Sequence, residues 1–102
     1  MLAELSIIPV GSGVSISPSV ARAAKIIDES ELDYRINPMA TVVEGEIDEV
    51  LDLIKKCHQA VMEDVERVLI TVVMDDRKDR KPPRLDKKVA SVEEKVGKSL
   101  KK

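Results

Sequence analysis

Residues 67–74, with the sequence RVLITVVM, constrain the fold more than any other segment of this chain. Alternate residues of a β-strand point to opposite sides, and in this segment both sides are largely apolar. A strand that is apolar on both sides needs cover on both sides. The segment therefore predicts a sheet that is packed on each face, rather than a sheet with one face in water.

Hydrophobic periodicity predicts three further strands and three helices around this segment. The predicted order is a strand over 2–10, a helix over 17–30, two strands within 33–46, a helix opening at 45–48, the strand 67–74, and a helix over 85–100. This βαββαβ order with an added C-terminal helix is typical of the ferredoxin-like α+β sandwich. We expect residues 1–102 to form one such domain.

The first two helices each have an apolar stripe. In the first helix the stripe consists of Val20, Ala23, Ala24 and Ile27; in the second it consists of Ile47, Val50, Leu51, Ile54, Cys57, Val61 and Met62, with His58 on the same side. Two helices cover only one face of a four-stranded sheet, so we expect another subunit to cover the second face. Because Pro9 has no backbone N–H, we expect strand pairing to fade near it.

The composition argues against several classes of protein. One tyrosine without phenylalanine or tryptophan, at a net charge of −2, disfavours nucleic-acid binding. No apolar run is long enough to span a membrane, and no signal peptide is visible. A single cysteine is compatible with the reducing cytoplasm. One cysteine and one histidine fall short of a zinc ligand set, so neither a metal nor a cofactor is expected.

Charge is divided unevenly along the chain. Residues 1–74 carry 6 bases and 13 acids, whereas residues 75–102 carry 11 bases and 6 acids. Opposite charges of this kind favour docking of the tail on its own domain or on a neighbouring subunit. The basic residues Arg77 and Arg80 have two interpretations: a solvated loop, or an anion-binding site shared across an interface.

Polar residues interrupt the otherwise aliphatic strands and suggest a binding site. They are Glu4, Ser6, Asn37, Thr41, Glu44 and Thr71, which we assign to the second face of the sheet. A buried polar group needs a partner, so these residues face either solvent or a ligand pocket. In a pocket, Glu44 would accept a hydrogen bond from an amino group and Tyr34 would supply the aromatic surface. The loop over 11–17 is either a flexible connection or a ligand lid, and as a lid its Ser15 and Ser17 would offer hydroxyl groups beside the start of the first helix.

Cys57 and His58 are the residues of this chain that most resemble catalytic groups. As neighbours on a helix they diverge by about 100°, so they do not form a hydrogen-bonded dyad in the ordinary way. The plainer interpretation is a small core cysteine and a histidine at the edge of the helix. An enzyme with His58 as general base remains a hypothesis, which requires His58 to lie in a cleft.

Four spaced motifs resemble the small thiamine-binding protein family, which is related to hydroxymethylpyrimidine/thiamine-binding domains. They are P-x-G-x-G-x-S-x-S at 9–17, Y-x-x-x-P-M-x-T-x-x-E-G-E at 34–46, C-H at 57–58 and D-D-R at 75–77. The resemblance extends from residue 2 to about residue 100. It implies a ferredoxin-like subunit that pairs sheet to sheet and assembles as a dimer of dimers, a homotetramer. It also implies reversible binding of thiamine or its pyrimidine moiety, without a reaction.

The resemblance also supplies a set of expected ligand-binding residues. They are Ser15, Ser17, Tyr34, Met39, Thr41 and Glu44. We expect Glu44 or Thr41 to recognise the aminopyrimidine, and Tyr34 or Met39 to flank its ring. The expected role is sequestration or sensing in the cytoplasm. The alternative is a regulatory module that binds an anion or an amino acid at a subunit interface.

Overall fold

The computed structural model describes residues 1–11 and 17–102, and for Ser17 it describes the backbone alone. The elements are β1 (Leu2–Val10), α1 (Ser17–Glu29), β2 (Asp33–Ile36), β3 (Thr41–Glu44), α2 (Ile47–Met62), β4 (Arg67–Asp75) and α3 (Lys87–Val96). This order confirms the predicted ferredoxin-like arrangement with an added C-terminal helix. The predicted third helix is longer than α3, which ends where Gly97 takes a left-handed conformation with φ 87°.

The four strands form one antiparallel sheet in the order β2-β3-β1-β4. β1 pairs with β3 only over Leu2–Leu5, but it pairs with β4 from Leu2 to Val10. The expected loss of pairing at Pro9 is therefore wrong, because Pro9 lies opposite Val68. Beyond Leu5, β1 has a paired neighbour on one side only, and proline is tolerated on such an edge.

We call the sheet face under α1 and α2 the closed face. Its core is aliphatic and consists of Met1, Ala3, Leu5, Ala23, Ile27, Val43, Val50, Leu53, Cys57 and Val61. Ala3 lies between Val43 and Met74 on the neighbouring strands, and its small side chain lets the helices approach the sheet. Val43 and Val50 are fully inaccessible to solvent. The folded chain therefore buries its main core on this face.

The buried stripe of α2 differs from the predicted stripe. Leu53 is buried, whereas Leu51, which was predicted to face the core, is 48% exposed. Ile47 and Met62 are also exposed, and so is His58. Val50, Cys57 and Val61 are buried as predicted, and with Leu53 they follow steps of three and four, so the buried side overlaps the predicted stripe but is rotated towards Leu53. In α1, Ala23 and Ile27 are buried as predicted, but Val20 is exposed.

We call the opposite side of the sheet the open face. It carries Leu2, Glu4, Ser6 and Ile8 of β1, with Leu69, Thr71 and Val73 of β4 beside them. The exposed fractions of Ile8, Leu69 and Val73 are 44%, 49% and 57%. α3 lies over one end of this face, and none of its residues is buried. Both sides of β4 are apolar as predicted, and much of the open side has no cover within this chain.

Candidate functional site

A groove of about 970 Å³ lies between the open face and α3. Its floor consists of strand residues, and its far wall consists of α3 and the segment that precedes it. The lining residues are Leu2, Ala3, Glu4, Arg35, Ile36, Asn37, Val42, Val73, Asp75, Leu85, Asp86, Lys88, Val89, Ala90, Val92, Glu93 and Lys102. The groove is a concave, mainly apolar space with a few charged groups, as small-molecule sites usually are.

Glu4 is the carboxylate on the floor of this groove. Its neighbours across the sheet are Val42 on β3 and Val73 on β4, so it lies on an aliphatic surface. The side chain is exposed. Among the described residues, no side chain makes a hydrogen bond or an ion pair with Glu4. Glu4 is therefore available to accept hydrogen bonds from an amino group or to pair with a cation.

The other three acids of the groove are already paired. Oδ2 of Asp75 lies 3.1 Å from Nζ of Lys88, and Oδ1 of Asp86 lies 2.8 Å from Nη2 of Arg35. Oε2 of Glu93 lies 2.7 Å from Nζ of Lys102. The hydrogen bond from Lys88 lowers the pKa of Asp75, and the bond from Lys102 lowers that of Glu93. These three ion pairs lie around the groove. Among the described residues that line it, Glu4 is the acidic side chain without a basic partner.

Glu44 has a different environment from the expected one. It lies on the open-face side but is only 7% exposed, and it does not line the groove. Its carboxylate accepts the backbone N–H of Arg84 at 2.7 Å and that of Leu85 at 3.1 Å. Both oxygens are used to fix the chain before α3. In this structure Glu44 attaches the tail to the sheet, and Glu4 takes the position that we had expected for Glu44.

Tyr34 and Thr41 lie on the closed-face side of the sheet, away from Glu4. In the register, Tyr34 is opposite Val43 and Thr41 is opposite Leu5, and both of these partners belong to the closed-face core. The hydroxyl of Tyr34 donates to Asp28 at 2.6 Å, and this hydrogen bond raises the pKa of Tyr34. Thr41 was assigned to the second face, and that assignment is wrong. The expected pocket with both Tyr34 and Glu44 is not formed, because the two side chains lie on opposite sides of the sheet.

The remaining predicted ligand residues do not join the groove in the described part of the chain. Met39 lies between β2 and β3 and is 88% exposed. Ser15 and the side chain of Ser17 lie outside the described residues. Asn37, a second-face candidate, does line the groove. Direct ligand contacts by the residues taken from the resemblance therefore stay predictions.

The basic loop lies beside the groove and is partly neutralised. Nε of Arg77 donates to Oδ1 of Asp79 at 2.9 Å. Arg84 is buried, and its Nη2 lies 3.0 Å from Oδ2 of Asp75. Arg80 is exposed. The tail docks on its own domain through three kinds of contact: backbone N–H groups that donate to Glu44, the ion pair of Asp86 with Arg35, and the ion pairs of Arg84 and Lys88 with Asp75 at the end of β4.

Cys57 and His58 do not form a chemical site. Cys57 is fully buried beneath α1, and burial raises the pKa of its thiol to about 11, so it stays protonated at neutral pH. His58 is exposed on α2 and lines neither the groove nor the basic cavity, so the geometry gives no support to a general base. Within residues 1–11 and 17–102 there is no cluster of three metal-ligating side chains, and no helix long and apolar enough to cross a membrane.

The alternation of β1 placed Glu4 correctly on the second face. Nothing in the sequence, however, indicated that Glu4 rather than Glu44 would be the free carboxylate of the groove. The selection depends on where α3 lies, and α3 is separated from β1 by more than 70 residues. Asp86 and Lys88 were missed because their only local signal is a helix start in a charged segment. Contact between a tail and a sheet leaves no periodic signal in the sequence.

Comparisons with known proteins agree with the resemblance. The family profile described as "thiamine-binding protein" matches residues 3–93. A UPF0045 protein of Methanocaldococcus jannaschii is 41% identical over 80 residues, which cover 78% of this chain and 80% of that protein.

Two solved structures are similar to this fold. The crystal structure of a hypothetical protein of Methanocaldococcus jannaschii has a TM-score of 0.85 and 38% identity, covering 91% of this chain and 95% of the other. A candidate thiamine biosynthesis/salvage protein of Thermotoga maritima has a TM-score of 0.78 at 20% identity, covering 89% and 96%. The second likeness, at that identity, shows the fold alone.

Proposed function

The chain belongs to the thiamine-binding protein family, and from this membership we propose that its groove binds thiamine or the pyrimidine moiety of thiamine without a reaction. The observation that carries the proposal is the unpaired carboxylate of Glu4 on an aliphatic floor. An aminopyrimidine offers N–H donors for that carboxylate, and a thiazolium ring offers a positive charge. The valine side chains around Glu4 supply apolar contact for either ring.

Titration calorimetry with thiamine and with hydroxymethylpyrimidine tests this proposal. Replacement of Glu4 by Gln removes the charge at nearly constant volume, and we expect it to weaken binding at least tenfold, which is about 1.4 kcal/mol. Glu66→Gln is the matched control, because Glu66 is exposed and lies outside the groove. Equal affinities in the wild type and the Glu4 variant would exclude Glu4 as the recognition group. Absence of binding to the wild type would overturn the proposal itself.

We also propose that the protein works as a homo-oligomer in which a second copy covers the rest of the open face. The support is the row of exposed apolar side chains formed by Ile8, Leu69 and Val73. Exposed apolar side chains that share one face of a sheet are characteristic of an interface. The dimer of dimers implied by the resemblance is one arrangement that satisfies this requirement, and placement in the cytoplasm stays a prediction.

Sedimentation velocity at micromolar concentration tests the oligomer. We expect a mass that is a multiple of 11.3 kDa for the wild type. Leu69→Asp should shift it towards a single chain, because it buries a charge in the interface. Leu51→Asp is the control, since Leu51 is equally exposed but lies on α2. A wild type that sediments as a single chain would contradict the proposal.

The non-catalytic character of the protein can be tested with the same material. Thiamine incubated with the protein and then released by denaturation should be recovered unchanged on chromatography. Conversion to a new species would indicate an enzyme instead. Whether the cell uses the binding for sequestration or for sensing requires a comparison of free thiamine in cells with and without the protein.

A further inference from the structure

A second cavity, of about 610 Å³, lies between the loop after β4 and α3. Seven of its lining residues are basic and two are acidic, although the whole chain has a net charge of −2. The proposed binding of an uncharged or cationic ring does not explain this concentration of positive charge. We call this cavity the basic pocket.

Only part of the positive charge in the basic pocket is neutralised by the protein. Arg77 is paired with Asp79, and both Arg84 and Lys88 are paired with Asp75. Among the described residues, no acidic side chain lies within ion-pair distance of the other four bases. These four are Arg80, Lys81, Lys87 and Lys95.

Two of these four bases lie on one stripe of α3 with a hydroxyl group between them. Lys87, Ser91 and Lys95 are spaced by four residues, so they lie one above another on the helix surface. Arg80 and Lys81 come from the loop on the opposite side of the pocket. Donors and positive charges that face a cavity from two sides suit a phosphate or diphosphate group, whose oxygens accept several charge-assisted hydrogen bonds.

The basic pocket and the groove share part of their lining. Asp75, Lys88 and Val92 line both cavities, so the two spaces meet at the N-terminal half of α3. The groove has an unpaired negative charge at Glu4, whereas the basic pocket has an excess of positive charge. A ligand that lies across both would need a cationic or amino-bearing end and an anionic end.

We propose that the groove and the basic pocket together bind one phosphorylated ligand, with its ring over Glu4 and its phosphate or diphosphate group among Arg80, Lys81, Lys87 and Lys95. The ring half of this site rests on the proposed function. The new element is the selection of the phosphate ester over the unphosphorylated compound. Arg77, expected from the sequence to bind an anion, contributes less because Asp79 already neutralises it.

Titration calorimetry with thiamine, thiamine monophosphate and thiamine diphosphate tests this proposal on the full chain. We expect the diphosphate to bind at least tenfold more tightly than thiamine at low salt, and the advantage to shrink as salt screens the exposed charges. The double substitution Lys87→Gln and Lys95→Gln should remove most of this advantage and leave the affinity for thiamine unchanged. Lys55→Gln with Lys98→Gln is the matched control, since it changes the net charge equally outside the basic pocket.

The possible results separate this proposal from the proposed function. If thiamine binds and its phosphates bind no more tightly, the two-cavity site is overturned while thiamine binding stands. The two-cavity site is also overturned if the variant with Lys87→Gln and Lys95→Gln still binds thiamine diphosphate more tightly than thiamine by the wild-type factor. If inorganic pyrophosphate binds and no thiamine compound does, both proposals fail, and the basic pocket is a plain anion site.

Discussion

The two faces of this sheet are made by the same four strands, yet they differ sharply in how far their side chains are buried. On the closed face, Ala3, Leu5 and Val43 are no more than 3% exposed under α1 and α2. On the open face, alternate residues of the same strands leave Ile8, Leu69 and Val73 between 44% and 57% exposed. The closed face therefore contains the main core of the fold, whereas much of the open face has no cover within this chain.

Two glutamates on the open-face side show the same contrast at the level of single residues. Glu44 is buried, and the backbone of Arg84 and Leu85 satisfies its carboxylate. Glu4 is exposed among valines and has no partner in the described part of the chain. A carboxylate that the fold already satisfies stabilises the protein, whereas an unsatisfied carboxylate in a groove is available for a ligand.

The contrast between closed and exposed packing is sharpest for two leucines on α2. Leu53→Ala should lower the free energy of unfolding by about 3 kcal/mol, because the side chain is 2% exposed and its loss leaves a cavity. Leu51→Ala, on the same helix at 48% exposure, should cost less than about 1 kcal/mol. Urea unfolding at one fixed protein concentration measures both. Equal losses would mean that α2 packs with a different side against the sheet.

The contrast between the two glutamates predicts a smaller effect on stability. Glu44→Ala should lower the free energy of unfolding by about 2 kcal/mol, because it leaves the N–H groups of Arg84 and Leu85 without their acceptor. The amide protons of these two residues should also lose protection in hydrogen exchange. Glu4→Ala should leave both quantities nearly unchanged. Full protection of the two amides in the Glu44 variant would contradict the tail attachment described here.

The smallest expected effect is the loss of stability at low pH that comes from Asp75, which binds the tail on the open-face side. Lys88 and Arg84 lower the pKa of Asp75 in the folded protein, so folded Asp75 binds a proton less readily than unfolded Asp75. The contribution of Asp75 to stability is therefore complete above its ordinary pKa of 3.8 and disappears as the pH falls through the lower folded value. The sheet contacts of the closed face have no such dependence.

Urea midpoints of the wild type and Asp75→Asn, compared from pH 7 down to pH 2.5, check this sign. The wild type should have the higher urea midpoint at neutral pH. The two midpoints should converge as the pH falls below 3.8. Asp76→Asn is the control, because the neighbouring Asp76 is exposed and has no partner among the described residues. A difference that grows towards low pH would mean that the carboxylate is not held by these two bases.

The elements of the fold followed from local signals. Strand alternation and apolar steps of three and four both act over a few residues, so the order βαββαβ was correct. Apart from the pairing at Pro9 and the length of the third helix, the errors concern which side of an element is buried. In α2, both Leu51 and Leu53 are compatible with an apolar stripe, and only the position of α1 and the sheet decides between them.

The candidate site was less predictable because its two sides come from distant parts of the chain. Alternation put Glu4 and Glu44 on one face, but their different roles depend on where residues 84–85 dock. Thr41 was placed on the wrong face although Thr41 and Glu44 lie three residues apart on β3, so strand alternation puts them on opposite faces. Tyr34 was expected beside Glu44, and the register separates them.

The sequence by itself determined the class of fold, the aliphatic core and the family, because these depend on periodicity and on motifs that are local in the chain. Only the tertiary structure decided that Glu44 is a structural anchor and Glu4 a free carboxylate. It also decided that α3 forms one wall of both the groove and the basic pocket. The physical reason is that a carboxylate has no fixed role until the fold either supplies its hydrogen-bond donors or leaves them to a ligand.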